Sequence, residues 1–469
     1  MKTVRGPALR LILLALNLSL LFLGTIAASS QVGQSLPART MAAPAPVQDL
    51  HVPNYFKPTP LVVAAPPAEV SSIHRLRGQI ENALASSTAS TIGAVVWIEG
   101  FGTVFEENSN LELLPASTQK MFVGAAALKL LGNNHAFSTR VMSQESVTAE
   151  GTVDGDLVLV GGGDPSLART DLESLAKAVA LSGIRTVSGG VLGDESHFDR
   201  LRAAPGWKDT YVPRQSGALS ALAVDQNSYR NDPEFIAEPA LVNAQLFREM
   251  LVAAGVAVSA PAGISSSSLP AGIEIARKDS PPFKDLVTHM LTESDNFFAE
   301  MILKEVGFSA GDASTSGGID AIRRFASSQG LQLGPSADGS GLSQQNRQSA
   351  AAQIQWLAWI DEEMAGAGFH QMLARSCSPI GTLKRRMCES PAAGRVLAKS
   401  GGLPHVATLT GYTTTASGRH VRFTLLLTDA ASTRSARLAI DNALSRRPSG
   451  FSRLNGNLPI SQDGAGSSR

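Results

Sequence analysis

The feature that most constrains this chain is a change of texture partway along it. From about Phe137 to Ala260 the sequence breaks into short apolar runs separated by Gly and Asp, as in GTVDGDLVLVGGGDPSL, SGGVLGDESHFD and SALAVDQNSY. These read as short strands, with DLESLAKAVALSG and LVNAQLFREMLVAAGV as helices among them. On either side the pattern differs. VSSIHRLRGQIENALAS sets Ile73, Leu76, Ile80 and Leu84 on one helical face, and TIGAVVWIEGFGTVFEEN reads as a hairpin broken at Gly100 and Gly102. Past Ala260 the helices PFKDLVTHMLTESDNFFAEMILKEVG, GIDAIRRFASSQG and AAQIQWLAWIDEEMAG give way to strand-like RVLAKSGG, ATLTGYTTTAS and HVRFTLLLTD. A last helix, TRSARLAIDNALSRR, closes the fold. Helix–hairpin at one end and hairpin–helix at the other fit one sheet flanked by terminal helices. The expectation is an α/β (α+β) chain: one domain built from 70–136 and 261–448, interrupted by an α+β accessory domain over 137–260.

The ends carry a different message. Lys2, Arg5 and Arg10 precede the apolar run LILLALNLSLLFL, and small residues follow around Ala27 and Ala28. That is the layout of a secretory signal over 1–28. The run is short for a bilayer span, which needs about 20 residues; an uncleaved anchor is the alternative. Residues 29–69 are rich in Pro and Ala and read as a linker, and 449–469 as a flexible tail. Export suits the cysteines. Cys377 and Cys388, the only two, fit one local disulfide closing CSPIGTLKRRMC, with two free buried thiols as the alternative. Equal numbers of basic and acidic residues leave no electrostatic footprint for nucleic acid or a membrane surface. The eight histidines show no H-E-x-x-H spacing, and no metal or other cofactor is expected.

Three short motifs carry chemistry. In PASTQKMFVGAAAL, Ser117 and Lys120 share a helix face, so a serine nucleophile would have its base one turn away. Taken alone the motif describes a capped helix start with an exposed lysine at least as well. In TESDNFFAEMI, Ser294 could relay a proton to a leaving group and Asn296 could hold a substrate amide, with Asp295 orienting the turn; plain helix capping is the alternative. In AKSGGLPHVATLTGY, Lys399, Ser400, Gly401 and Gly402 lie on a strand along which an acyl substrate could pair, or form a surface turn. Together and in this order, the three match the S-x-x-K, S-D-N, K-T-G set of penicillin-binding proteins and class A β-lactamases, with Ser in place of Thr in the third.

The chain resembles the class C low-molecular-mass penicillin-binding proteins, the DacB-type D-alanyl-D-alanine carboxypeptidases and endopeptidases. LLPASTQKMF, GDLVLVGGGDPSL, PGWKD, SALAVDQN, DGSGLS, GTLKRRM and TGYTTTASG extend the likeness over most of Ile73 to Arg446. The resemblance implies a penicillin-binding protein/serine β-lactamase-like domain with a helical lobe. Family members often carry two extra domains; here the insert has room for one. It further implies Ser117 as nucleophile, Lys120 as base and an oxyanion hole from the N–H groups of Ser117 and Gly402. Ser294 would bridge Lys120 and Lys399, and Lys399 with Ser400 would hold the substrate's terminal carboxylate. Cations around Ser117 would keep Lys120 partly neutral. Asp209 in PGWKD would meet the side-chain amine of diaminopimelate, or is an ordinary turn acid. Asp338 would fix a loop near the cleft. The implied partners are peptidoglycan stem peptides and β-lactams, in a periplasmic or extracytoplasmic setting. A β-lactamase-like hydrolase and a catalytically silent wall-binding protein are the alternatives.

Overall fold

The computed structural model describes residues 67–228, 237–265 and 272–445. The expected signal 1–28, the linker as far as residue 66 and the tail 449–469 lie outside them. No helix among the described residues is long and apolar enough to cross a membrane.

The chain enters through α1 (Pro67–Ala85), which begins inside the span assigned to the linker, and the hairpin β1 (Thr91–Ile98) and β2 (Gly102–Glu107). A 3-10 turn, Ala116–Thr118, opens α2 (Gln119–Leu131). The insert holds β3 (Ser138–Ser143), β4 (Thr152–Val153), β5 (Leu157–Val160), α3 (Arg169–Leu181), β6 (Thr186–Val187) and β7 (Val191–Asp194). It continues with α4 (Pro239–Ala253), β8 (Ala257–Val258), β9 (Gly263–Ile264) and β10 (Ile273–Asp279). The chain returns through α5 (Phe283–Glu293), α6 (Asn296–Ser309), α7 (Thr315–Ser328) and α8 (Ala350–Glu363). It ends on β11 (Ala374–Arg375), β12 (Leu397–Leu403), β13 (Val406–Thr414), β14 (His420–Thr428) and α9 (Thr433–Ser445).

The main sheet runs β11-β12-β13-β14-β1-β2 and every pairing is antiparallel. β1 lies against β14 from Thr91↔Thr428 to Ile98↔Val421, so the two ends of the chain meet in mid-sheet. Val96, Ile98, Leu425 and Leu427 pack towards Ile80 and Leu84 of α1 and Ile440 of α9. Val95 and Leu426, one position along, pack towards Ala350 of α8. Burial on both faces explains why these strands read as continuous apolar runs.

The opposite face supports a helical lobe around α2. Every residue from Gln119 to Leu128 is buried. Phe122 meets Trp356 with ring centroids 5.3 Å apart, and Met121 joins Val287, Met290 and Ile302 in one core. Each such side chain contributes about 1.5–3 kcal/mol by burial, so α2 is a rigid post.

The insert has its own core and two sheets, ordered β10-β3-β5-β7-β9 and β4-β6-β8. Its extent differs from the expected 137–260. β10 pairs with β3 from Ile273↔Ser143 to Asp279↔Ser138, which carries the insert's sheet on to Asp279. SALAVDQN is also not a strand. Asp225, Gln226 and Asn227 have φ of 46°, 59° and 48°, and three consecutive left-handed residues cannot continue an extended chain.

Candidate active site

The 3-10 turn carrying Ser117 is fastened to the sheet. Thr118 Oγ1 and Thr408 Oγ1 both donate to the Pro115 carbonyl, at 2.8 and 2.9 Å. Gly401 lets β12 approach: an added Cβ would lie 2.8 Å from Ser117 N and overlap Thr408 Oγ1. Gly341, at φ +83°, permits a similar approach, since a Cβ there would overlap the Ala116 carbonyl. The capping hydrogen bond that a bland reading expects is absent at both Pro115 and Thr118. Lys120 Nζ instead donates to Ser117 Oγ at 3.2 Å.

Lys120 is fully buried. Its other two hydrogens go to Asn296 Oδ1 at 2.8 Å and the Ser340 carbonyl at 2.5 Å. Burial lowers its pKa to about 8, against the opposing pull of Asp338, Glu300 and Asp295. Of the two causes open to such a lysine, apolar surroundings or neighbouring cations, desolvation does it, and the carboxylates around Lys120 act the other way.

Ser294 closes α5 in the left-handed region, φ 66°, and links it to α6. A non-glycine residue there costs free energy and commonly marks a functional position. Its Oγ accepts a hydrogen bond from Lys399 Nζ at 2.7 Å. Lys399 is fully buried and its pKa is pushed well down, first by desolvation and then by Lys120. The expected bridge from Lys120 through Ser294 to Lys399 is half present. Among the described residues Ser294 pairs with Lys399 only, because Lys120 has spent its donors on Ser117, Asn296 and Ser340.

Asn296 is engaged at both ends, since its Nδ2 donates to the Gln215 carbonyl at 2.8 Å. Asp295 caps α6 by accepting from Phe298 N at 3.1 Å, worth about 1 kcal/mol. Its other oxygen takes Gln226 Nε2 at 3.0 Å and lies 3.1 Å from His289 Nε2. Gln215 and Gln226 both come from the insert, which thereby braces the second motif.

Two participants escaped the sequence reading. The Ser340 carbonyl reaches Lys120 from the DGSGLS loop, and that loop is folded around Asp338, which accepts from Gly341 N, Ser343 N, Asn346 Nδ2 and Trp207 Nε1 at 2.6–2.8 Å. Asp338 thus holds the loop as expected of it. The other is Glu300, about one turn along α6 from Asn296. It accepts from Gly339 N and Ser340 N at 3.0 and 2.8 Å and is fully buried. Burial raises its pKa to about 8, with Asp338 adding to the rise. The acid therefore keeps its proton in the folded chain where the unfolded chain has lost it, and the fold loses stability as pH climbs from about 4.5 through about 8. Glu300→Gln keeps the acceptor and removes the titration. Its melting temperature relative to wild type should rise steadily from pH 5 to pH 8; a constant difference across that range would contradict the assignment.

Ser400 and Gly402 follow Lys399 along β12, opposite Leu409 and Ala407 of β13. Asp209 is exposed and has no hydrogen bond among the described residues, while Trp207 of the same segment is half-buried against Asp338. Cys377 and Cys388 form a disulfide with Cα atoms 4.9 Å apart. Asp361 of α8, His370 of the 3-10 turn Phe369–Met372 and His420 of β14 bring their ligand atoms within 4.8 Å of one another, a set that could hold a cation. Arg422 Nε lies 3.6 Å from the same carboxylate, so a positive charge already sits there.

Comparisons with known proteins give the family. The D-Ala-D-Ala carboxypeptidase 3 (S13) family matches residues 76–234 and 233–447. The chain belongs to that family. It is 27% identical over 391 residues to a D-alanyl-D-alanine carboxypeptidase of Actinomadura strain R39, covering 66% of this chain and 72% of that one. A carboxypeptidase of Mycobacterium tuberculosis is 29% identical over 403 residues, covering 79% and 78%. The crystal structure of penicillin binding protein 4 from Haemophilus influenzae superposes with a TM-score of 0.72 at 22% identity, over 78% of this chain and 98% of that chain.

Proposed function

We infer that the chain is an exported, penicillin-sensitive serine D,D-peptidase acting on the D-Ala-D-Ala bond of peptidoglycan stem peptides. The observation that carries the reading is the pairing of Ser117 Oγ with Lys120 Nζ at 3.2 Å beside a second hydroxyl–amine pair, Ser294 with Lys399 at 2.7 Å. Membership of the S13 family, and relatives named as D-alanyl-D-alanine carboxypeptidases, support the substrate class. The apolar N-terminal run supports export to the cell-wall compartment.

In this reading, neutral Lys120 takes the Ser117 proton as Oγ bonds to the scissile carbonyl carbon. The N–H groups of Ser117 and Gly402 face the oxyanion. The C–N bond then breaks as Lys120 passes that proton through Ser294, held in place by Lys399, to the departing amine, which leaves Lys120 neutral again. Lys399 and Ser400 meet the terminal carboxylate. Water, deprotonated by Lys120, cleaves the acyl ester and restores Ser117. Asn296 positions Lys120 and the acyl chain, and Asp209 is the candidate partner for a side-chain amine on the stem.

Labelled penicillin tests the reading. The purified chain should take up about one equivalent, with the label on the peptide containing Ser117. Label on another residue, or none, sinks it. Rapid nitrocefin turnover would favour a β-lactamase, and muropeptide binding without cleavage a silent wall-binding protein.

A further inference from the structure

Away from the peptidase groups, three side chains converge on one point. Asp361 stands near the end of α8, His370 in the 3-10 turn Phe369–Met372 and His420 at the start of β14. Both imidazoles present Nε2 to the one carboxylate, His370 at 2.7 Å from Oδ1 and His420 at 3.0 Å from Oδ2. The three ligand atoms all lie within 4.8 Å of one another. The sequence hides this set, because its members come from three separate elements. It also lies at the far end of the sheet. His420 pairs with Thr414 of β13, whereas Gly402 pairs with Ala407, about 23 Å back along that strand.

Hydrogen bonding alone does not account for the arrangement. The strongest partner on offer to Asp361 is the Arg422 guanidinium, through a charge-assisted pair. Its Nε nevertheless stays 3.6 Å away, buried and without a hydrogen-bond partner among the described residues. The guanidinium is drawn instead over the Trp97 ring, 3.6 Å from its centroid. Asp361 thus turns both oxygens to the imidazoles and leaves a buried donor unsatisfied, a cost that something at the imidazoles must offset. The rings themselves are held in place. Buried Tyr412 lies against both, with centroids 4.2 Å from His370 and 5.5 Å from His420, and its hydroxyl donates to the Leu357 carbonyl.

We propose that Asp361, His370 and His420 bind one divalent transition-metal ion of the zinc class, which clasps α8 and the turn after it to β14. Two imidazole nitrogens and one carboxylate oxygen suit zinc-like ions, whereas calcium and magnesium take shells of oxygen. A tetrahedral zinc shell sets its donors about 3.4 Å apart, so small side-chain adjustments bring these three into it. Each Nε2 then gives its lone pair to the ion, and each ring carries its proton on Nδ1. His420 is partly exposed, which gives the ion an entry path and leaves a fourth position to water. Glu99, whose Oε2 accepts from His420 N at 3.0 Å, and Glu362, which bears on Arg422, offset the guanidinium charge beside the ion. The role is structural. α8 also backs the nucleophile's turn, since Gln353 Nε2 donates to Thr118 Oγ1 at 3.2 Å. An ion at its other end stiffens that helix and takes no part in acyl transfer.

The test uses the tag-free full-length chain, stripped with EDTA, and Zn²⁺ as the probe. Calorimetry should show one equivalent bound with micromolar or tighter affinity. His370→Ala/His420→Ala should weaken binding by about 100-fold or more, since even the groups that orient a ligand are worth about 10–100-fold. Saturating Zn²⁺ should raise the melting temperature of the wild type and leave that of the variant unmoved. Asp361→Asn gives a second variant if the first fails to fold. His197→Ala, at the other carboxylate met by two histidines, Glu305, should bind as the wild type does. Absence of stoichiometric binding, or undiminished binding in the site variants, overturns the proposal. Loss of binding in His197→Ala does so too, by placing the ion at Glu305. Penicillin labelling should proceed equally with and without Zn²⁺; labelling that requires the ion would overturn its structural role.

Discussion

Ser117→Ala should abolish covalent labelling by penicillin and lower D-Ala-D-Ala hydrolysis by at least about 10⁴-fold, since removing a nucleophile removes the acyl-enzyme route altogether. The substitution deletes one oxygen from a turn held by other bonds. Thr118 and Thr408 still grip the Pro115 carbonyl, and Lys120 keeps Asn296 and the Ser340 carbonyl. The fold should therefore survive, with a melting temperature close to wild type. Labelling that persists in a folded Ser117→Ala chain would place the nucleophile elsewhere.

Lys120→Met should slow acylation by about 10²–10⁴-fold and also erase its pH dependence. With its pKa lowered to about 8 by burial, about one Lys120 in ten is neutral at pH 7. The wild-type acylation rate should thus rise roughly tenfold between pH 7 and pH 9 and then level off. The rise follows the loss of a proton from the folded enzyme, so a rate that falls over this interval would exclude Lys120 as the base. The Lys120 charge in turn adds to the burial that holds the pKa of Lys399 down. Met has a similar length, but it leaves Asn296 Oδ1 and the Ser340 carbonyl without their donor. A modest loss of stability should accompany the kinetic loss; the absent pH response is what separates base from brace.

Much of the fold was legible because hydrophobic periodicity is local. The β1–β2 hairpin, α2 and the β12–β14 meander stand where their apolar patterns put them. The insert was legible as a change of texture but not to its last strand. β10 reads as IEIARKD and gains its assignment only from pairing with β3 across the insert. SALAVDQN shows the reverse: a run with strand-like composition turned aside by left-handed residues that brace α6 through Gln226.

By itself the sequence determined which side chains could do chemistry: a hydroxyl and an amine one turn apart at Ser117 and Lys120, a second hydroxyl at Ser294, a lysine on a glycine-bearing strand at Lys399. Side-chain type and short spacing are properties of the linear chain, so they can be read from it. Only the tertiary structure decided how those groups are poised. The depressed pKa of Lys120 arises from burial, not from its neighbours' charge. The Ser340 carbonyl arrives from a loop built on Asp338 and closed by Trp207 of the insert. Glu300 holds its proton because no water reaches it. Desolvation depends on everything packed around a group, most of it far away in sequence, and no local pattern encodes it.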